Sequence, residues 1–296
     1  MPGPLRAAIV ALLLIANTAI WGTLIVLFTP VKFLVIGGEP RRRIILLLAW
    51  FAERWVAGND AIFDRMLTTR WEIEGVDTLR HDAHYLIISN HISWVDIFVL
   101  FRVFRQAGAP FIRFFLKHAL IYSPIVGQAC WALEFPFMRR YSPEYLAKHP
   151  EKRGEDLETT RIACRRYRDV PVAILNFVEG TRFSREKLED QQSPYKHLLR
   201  PRVGGISFVL ASLGEQLDAV FDMTIVYPGH ETTMYDFAAN RIDRIVVRAR
   251  RVAVPPHFIS PAATEPGPVR DELKEWIEEI WREKDVLIDG IVQSPA

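Results

Sequence analysis

The chain has 296 residues and a formal net charge of +2; half of it is apolar and about a quarter is charged. So near-neutral a balance excludes a strongly electrostatic nucleic-acid binder, while the apolar half leaves ample material for a sizeable core. Only two cysteines occur, Cys130 and Cys164, with no C-x-x-C pair, which excludes a disulfide framework or a cysteine zinc site and fits a reducing compartment.

The first element is an uncharged run from Ala7 to Phe28, 22 residues long. About 20 apolar residues suffice to cross the hydrocarbon core as a helix. A cleaved signal peptide has a basic start and a shorter apolar stretch. Here only Arg6 precedes the run, and bulky residues continue to Ile36, so the segment reads as a retained anchor. Arg41, Arg42 and Arg43 follow it, which places that side in the cytoplasm by the positive-inside rule. The next segment, Ile44 to Leu67, is amphipathic, with Trp50, Phe51, Trp55 and Phe63 suited to an interfacial position. Two arrangements stay open: a spanning first helix, or a helical hairpin in one leaflet, helped by Pro30.

After Thr69 strands and helices alternate. "HYLIISN" reads as a short buried strand, "WVDIFVLFRVF" as a buried helix and "PVAILNFVEG" as a second strand. "GISFVLASLG" reads as a helix with Gly214 as its C-cap. "AVFDMTIVY" is a strand stopped by Pro228-Gly229, and "RIVVRARRVAV" alternates as a half-exposed strand does. From Pro268, apolar residues at Val269, Leu273, Trp276, Ile277, Ile280 and Trp281 recur at helical spacing, with Asp271 and Glu272 in the first turn. That helix packs on the body or on the membrane surface. The expected fold is α/β, a mixed central sheet flanked by helices behind a membrane-embedded helical anchor. Residues 1–69 form the anchor, 70–254 the α/β domain, and 255–296 a linker and C-terminal amphipathic helix.

Three stretches carry candidate chemistry. In "YLIISNHISWVDIFVL", residues 85–100, an apolar strand breaks into His91, and Asp96 follows in the next helical turn. A carboxylate on one imidazole nitrogen leaves the other to accept a proton and stabilises the imidazolium. Such a pair is a base for a hydroxyl. By itself H-x4-D is weak, since a histidine beside a core strand often only hydrogen-bonds. No residue spacing around it suits a metal, and Ser93 lacks the G-x-S-x-G elbow of a serine nucleophile. In "NFVEGTRFSREK", residues 176–187, Gly180 permits an unusual turn, Thr181 offers a hydroxyl, and Arg182 presents a planar fork suited to phosphate. Glu179 reads as the group that holds Arg182, and Arg185 and Lys187 add positive charge. In "FLKHALIYSPIVGQACWALEFPFMRR", residues 115–140, Lys117 opens a segment whose apolar residues suit the lining of a hydrocarbon channel, or simply a core.

In this order, N-H-x4-D, K-x6-P-x2-G, F-x-E-G-T-R and a strand ending in Tyr-Pro, behind an anchor, resemble the glycerolipid acyltransferases. The resemblance is closest to the lysophosphatidic acid acyltransferases and covers roughly residues 84–230. It implies transfer of a fatty acyl chain from acyl-CoA or acyl carrier protein to the free hydroxyl of lysophosphatidic acid, giving phosphatidic acid in phospholipid biosynthesis. His91 matches the family's base and Asp96 the residue that orients it. Glu179, Gly180, Thr181 and Arg182 match residues that help bind the acceptor's phosphate, and Lys117 one near its head group. The segment around Pro228 matches the acyl-donor and tunnel region. No metal or prosthetic group is implied; the acyl thioester is a co-substrate. The expected partners are membrane lipids, a lysophospholipid acceptor and the acyl donor. The expected location is a membrane, with the active domain facing the cytoplasm of a bacterial inner membrane.

Several positions depart from the pattern. His118-Ala119 replace the usual continuation after Lys117, Glu134 stands at a frequent glycine, Arg139 at an acidic residue, Val178 at a proline, and Met223 at a valine. These bear on acceptor and chain preference. Two rivals share the motifs: an acyltransferase, transacylase or hydrolase acting on another phospholipid, and a non-catalytic scaffold that would tolerate loss of His91. Arg41 to Arg43, with Arg139, Arg140, Arg165 and Arg166, suit anionic head groups or CoA phosphates, although the stretch 150–170 reads most simply as a solvated helix face.

Overall fold

The computed structural model describes residues 1–35, 38–139, 141, 143–152, 154–167, 170–229 and 232–294. Ile36 and Arg140, both singled out in the sequence, lie outside these described residues. Two long helices open the chain, α1 (Gly3–Leu34) and α2 (Gly38–Met66). They are followed by β1 (Arg70–Glu74), β2 (His84–Ser89), α3 (Val95–Gln106), β3 (Ile112–Phe114), β4 (Leu116–Lys117), α4 (Val126–Ala132) and β5 (Phe137–Met138). Next come α5 (Pro143–Lys148), α6 (Glu155–Tyr167), β6 (Val172–Phe177), α7 (Arg185–Asp190) and α8 (Gly204–Leu213). The chain ends with β7 (Ala219–Val226), α9 (Met234–Ala238), β8 (Arg244–Val252) and α10 (Pro268–Gln293).

Six strands form one sheet in the order β1-β8-β7-β2-β6-β3, and β4 and β5 pair separately. Only β7 and β8 run antiparallel within the large sheet, so the sheet is mixed, as the sequence led us to expect. Its central strands are buried on both faces, which explains their unbroken apolar runs. Successive side chains alternate between two cores. Tyr85, Ile87, Ala173, Leu175, Phe221, Met223 and Ile225 join α2, α3 and α9 on one face. Leu86, Ile88, Ile174, Val220 and Val246 join α6, α8 and α10 on the other.

The first two helices form an antiparallel hairpin. Asn17 donates to Asn59 Oδ1 and to the Trp55 carbonyl at 2.8 Å each, and Trp55 Nε1 donates to Thr18 at 2.9 Å. A Cβ at Gly58 would lie 2.3 Å from Asn17 Oδ1, so the absent side chain is what lets the helices close here. Pro30 does not end α1, which runs on to Leu34. Among the described residues α1 is the one helix long and apolar enough to cross a membrane, and little of its apolar stretch is buried in the protein. Part of the stretch 115–140 packs against this hairpin: Leu116, Ala129, Leu133 and Phe135 meet Ile25, Leu48 and Phe51. It forms a docking surface there, where the sequence had also allowed a channel lining.

Two further readings are refined. Gly214 is the C-cap of α8, as expected, but with φ −53° it is not a left-handed one. It is small because a Cβ would meet Ile259 Cγ2 at 2.6 Å. The C-terminal helix packs on the body, with Leu273, Ile277 and Trp281 fully buried. It also buries a charge. Lys284 Nζ lies 2.6 Å from Asp222 Oδ1 on β7 and donates to the Met223 carbonyl at 2.8 Å. Asp222 Oδ2 in turn meets Arg250 Nε at 3.0 Å. Burial pulls the Lys284 ammonium below its usual pKa, against the opposing pull of Asp222.

Removing one partner of a buried pair strands the other charge, whereas replacing both does not. Lys284→Ala is therefore expected to lose about 3 kcal/mol of unfolding free energy in detergent micelles. The double variant Lys284→Met/Asp222→Asn is expected to lose clearly less. Chemical denaturation followed by tryptophan fluorescence measures both; equal losses would show that packing, and not charge, sets the cost.

Candidate active site

β2 and β6 are parallel neighbours, with Ser89 opposite Phe177, so the loops that follow them emerge side by side. This is the end of an α/β sheet where polar residues gather, because the strands stop and the chain turns back into helices. The two motifs, 88 residues apart at His91 and Glu179, meet there. The ladder continues past the strands: Val178 N donates to the Ser89 carbonyl at 3.3 Å, and Phe183 N to the His91 carbonyl at 2.7 Å. Asn90 fixes the third strand. Its amide donates to the Ile225 carbonyl at 2.9 Å and accepts from Ile225 N at 3.0 Å, as a backbone partner would.

His91 Nδ1 lies 2.8 Å from Asp96 Oδ2. A carboxylate only accepts, so Nδ1 carries the hydrogen and Nε2 has its lone pair free. The ring stacks on Phe177 at 3.9 Å, which restrains its tilt. Asp96 is wholly buried, yet fully satisfied. Oδ2 also accepts from Ile92 N at 2.6 Å and Ser93 N at 2.9 Å, at the start of α3. Oδ1 accepts from Tyr227 Oη at 2.6 Å. Burial, and then the contact with Asp96, raise the Tyr227 phenol well above its usual pKa, so it stays a donor. Tyr227 is the site residue the sequence did not assign a role. Its signal is the Tyr-Pro that ends the strand beside β2, which marks a motif but not a contact with Asp96.

The second motif divides. Gly180 has φ +70°, the left-handed region that favours glycine, and a Cβ there would press Arg202 Cδ at 3.2 Å. Thr181 Oγ1 accepts from Lys187 Nζ at 2.9 Å, and the same ammonium holds the Arg182 carbonyl at 2.8 Å. Lys187 thus clamps the loop. Arg182 is exposed, its guanidinium 4.7 Å from the centre of the Trp94 ring, with no carboxylate partner among the described residues. Glu179 does not hold it, which corrects the sequence reading. The Glu179 side chain is buried and accepts from His91 N and Leu199 N, both at 3.4 Å. Burial pushes its pKa up to about 8, against the amide bonds of Leu199 and His91. Burial thus favours its protonated form, and the side chain spans the two loops.

Lys117 stands apart. It is exposed on β4, outside the six-stranded sheet, and its ammonium makes no ion pair or hydrogen bond among the described residues. Beside the His91 loop lies a cleft of about 710 Å³, bordered by Ile92, Phe183, Arg185 and Tyr227, and by Ile288 and Val292 of α10. Among the described residues no group of three or more His, Cys, Asp or Glu is placed to hold a metal ion. The arrangement can take a proton at His91 Nε2 from a group lying in or beside this cleft.

Residues 70–230 match the family model described as Acyltransferase. Among similar proteins, 1-acyl-sn-glycerol-3-phosphate acyltransferase 3 of Arabidopsis thaliana is 24% identical over 70% of this chain and 53% of its own. The epsilon acyltransferase of the same name from Mus musculus is 22% identical over 74% and 61%. The 2-acyl-1-lysophosphatidylinositol acyltransferase of Saccharomyces cerevisiae is 22% identical over 70% and 61%. The matches span little more than half to three-fifths of these relatives' length. A crystal structure of the 1-acyl-sn-glycerophosphate (LPA) acyltransferase of Thermotoga maritima superposes with a TM-score of 0.55 over 99% of both chains, at 15% identity, and so shares the fold.

Glu179 also makes stability depend on pH. Its folded pKa lies above the ordinary 4.5, so the folded state holds its proton longer than the unfolded chain. The stabilisation is complete below the ordinary value and lost as pH rises towards the folded one. Between about pH 4.5 and 8 the parent should lose a few kcal/mol more than Glu179→Gln, which has no proton to release. Unfolding midpoints across that window measure it; parallel pH profiles would show that the carboxyl is ionised in the fold.

Proposed function

We propose, starting from a chain that belongs to the acyltransferase family, that it moves a fatty acyl group from acyl-CoA or acyl carrier protein to the free hydroxyl of lysophosphatidic acid, forming phosphatidic acid. The observation that carries this reading is the His91 imidazole, held on Asp96 at 2.8 Å beside a loop that presents Arg182 without a carboxylate partner among the described residues.

His91 Nε2 accepts the proton of the acceptor hydroxyl as that oxygen attacks the thioester carbonyl. Asp96 stays ionised and stabilises the imidazolium. The tetrahedral adduct collapses, the carbon–sulfur bond breaks, and the departing thiolate takes the proton from His91. No acyl-enzyme forms. Arg182 receives the acceptor's phosphate as a bidentate donor, with its planar face kept on Trp94. Gly180 and Thr181 shape that loop, and Glu179 props it against the His91 backbone. The resemblance alone assigns Lys117, exposed on β4, to the head group. The cleft bordered by Tyr227 and the end of α10 receives part of the donor. The helical hairpin keeps the domain on a membrane, facing the cytoplasm, where lysolipid and product reside. The likeness to a lysophosphatidylinositol acyltransferase supports a second acceptor, another lysophospholipid, on the same machinery.

The test uses purified full-length protein in micelles with radiolabelled acyl-CoA or acyl carrier protein, offering lysophosphatidic acid beside other lysophospholipids. Transfer to lysophosphatidic acid is expected, with His91→Ala slower by about 10²- to 10⁴-fold. Transfer only to another lysolipid moves the acceptor; undiminished activity in His91→Ala overturns the base. Tyr227→Phe leaves buried Asp96 one donor short and should slow turnover about tenfold without changing the acceptor's KM. A change in KM alone would mean that Tyr227 contacts the acceptor.

A further inference from the structure

The C-terminal end of α1 carries a second feature that the acyl-transfer site does not use. α1 and α4 leave an open apolar groove of about 420 Å³ between them, walled by Val26, Pro30, Phe33 and Trp131. Phe33 and Trp131 stack at 5.5 Å, and Phe33 keeps 62% of its surface exposed. Around the corner lies a cleft of about 600 Å³ walled by Arg41 and Arg42 of α2 and by Arg165 and Arg166 of α6. A small hollow joins the two: it shares Phe33 and Trp131 with the groove, and Arg41, Glu134 and Arg166 with the cleft.

Charge is arranged to leave this cleft positive. Its one acidic wall residue, Glu134, is neutralised by Lys32 at 2.7 Å, both side chains being buried. Glu134 has φ +65°, at the position where the resemblance leads one to expect glycine. The carboxylate that answers Lys32 therefore comes with backbone strain. Arg42 meets Glu39 at 3.7 Å and Arg165 meets Glu158 at 3.2 Å, both in solvent, where such pairs are weak. Arg41 and Arg166 have no carboxylate partner among the described residues. The cleft is also remote from the base. Val170 lines it just before β6 begins, and His84, the first residue of β2, donates to the carbonyl of Tyr167, next to Arg166. His91 follows the other end of β2, a length of strand of roughly 17 Å.

We propose that groove and cleft together hold one anionic phospholipid, an acyl chain along Phe33 and Trp131 and the phosphate on Arg41 and Arg166. An apolar wall continuous with a basic one matches an amphiphile, and gives a free phosphate nothing for the groove. Such a lipid touches α1, α2, α4 and α6 at once, so it fastens the hairpin to the α/β domain. The proposal is independent of which acceptor the acyl-transfer site takes.

The test equilibrates full-length protein in neutral detergent micelles with fluorescent phosphatidylglycerol or phosphatidylcholine, without acyl donor, and measures retained lipid. The parent is expected to bind phosphatidylglycerol at least about tenfold more tightly than phosphatidylcholine, and Arg41→Gln/Arg166→Gln to lose that preference. Millimolar inorganic phosphate is expected not to compete. Phe33→Ser, which spares every charge, is expected to weaken retention of phosphatidylglycerol as well. Acyl transfer measured in the same micelles should survive both variants and reports that they are folded. Equal binding of the two lipids, unchanged preference in the arginine variant, or displacement by phosphate each overturns the proposal. Should the arginine variant not fold, unchanged retention by Phe33→Ser decides against it.

Discussion

A buried carboxylate must be answered by donors, because desolvation of an unpaired charge costs more than most single contacts return. Asp96 sets that requirement here. Its two oxygens take four hydrogen bonds, from the His91 ring, the amides of Ile92 and Ser93, and the Tyr227 hydroxyl. Three of those donors come from the loop after β2 and one from just past the end of β7, while Asp96 itself sits in the first turn of α3. Each has to arrive within hydrogen-bond reach of one carboxyl group, so the sheet order and the register between β2 and β7 are fixed by the same demand. The histidine is then rigid as a by-product, since the only nitrogen it can offer outward is the one Asp96 does not occupy.

Burial also divides the acidic residues of the site by role. Asp96 is answered by four donors; Glu179 has only two long amide bonds, and burial pushes its pKa up to about 8. A charged glutamate at that place would put a second anion near Asp96. A neutral one still spans the gap between the His91 backbone and Leu199. The positive charge of the second loop is therefore left to Arg182, over Trp94, and is not consumed by its own motif.

Much of this was legible in the sequence, for a physical reason. β2, β6 and β7 are buried on both faces, so each appears as an unbroken apolar run, and the break into Asn90-His91 is abrupt because the strand ends at a cleft. β1 and β3 were not read. The first is an edge strand of mixed exposure, and the second has three residues. The His91–Asp96 pair is local and was visible; the Tyr227 contact reaches across 131 positions and was not. Glu179 three positions before Arg182 suggested an ion pair, because spacing reveals proximity along the chain but not which side chain faces inward. The Glu134 substitution looked like a departure until Lys32 was found opposite it, 102 residues earlier.

β8 and α10 lie beyond residue 230, where the family match ends, yet β8 occupies the place between β1 and β7, and α10 roofs one face of the sheet. The recognisable segment and the cooperative folding unit are thus different objects. Excising 70–230 would bare two strand edges, uncover Asp222 without Lys284, and remove one wall of the cleft. Exchanging acceptor preference between such proteins by grafting motif segments must carry the tail along. The structural unit is the whole sheet with its closing helix, and the matched segment carries only part of it.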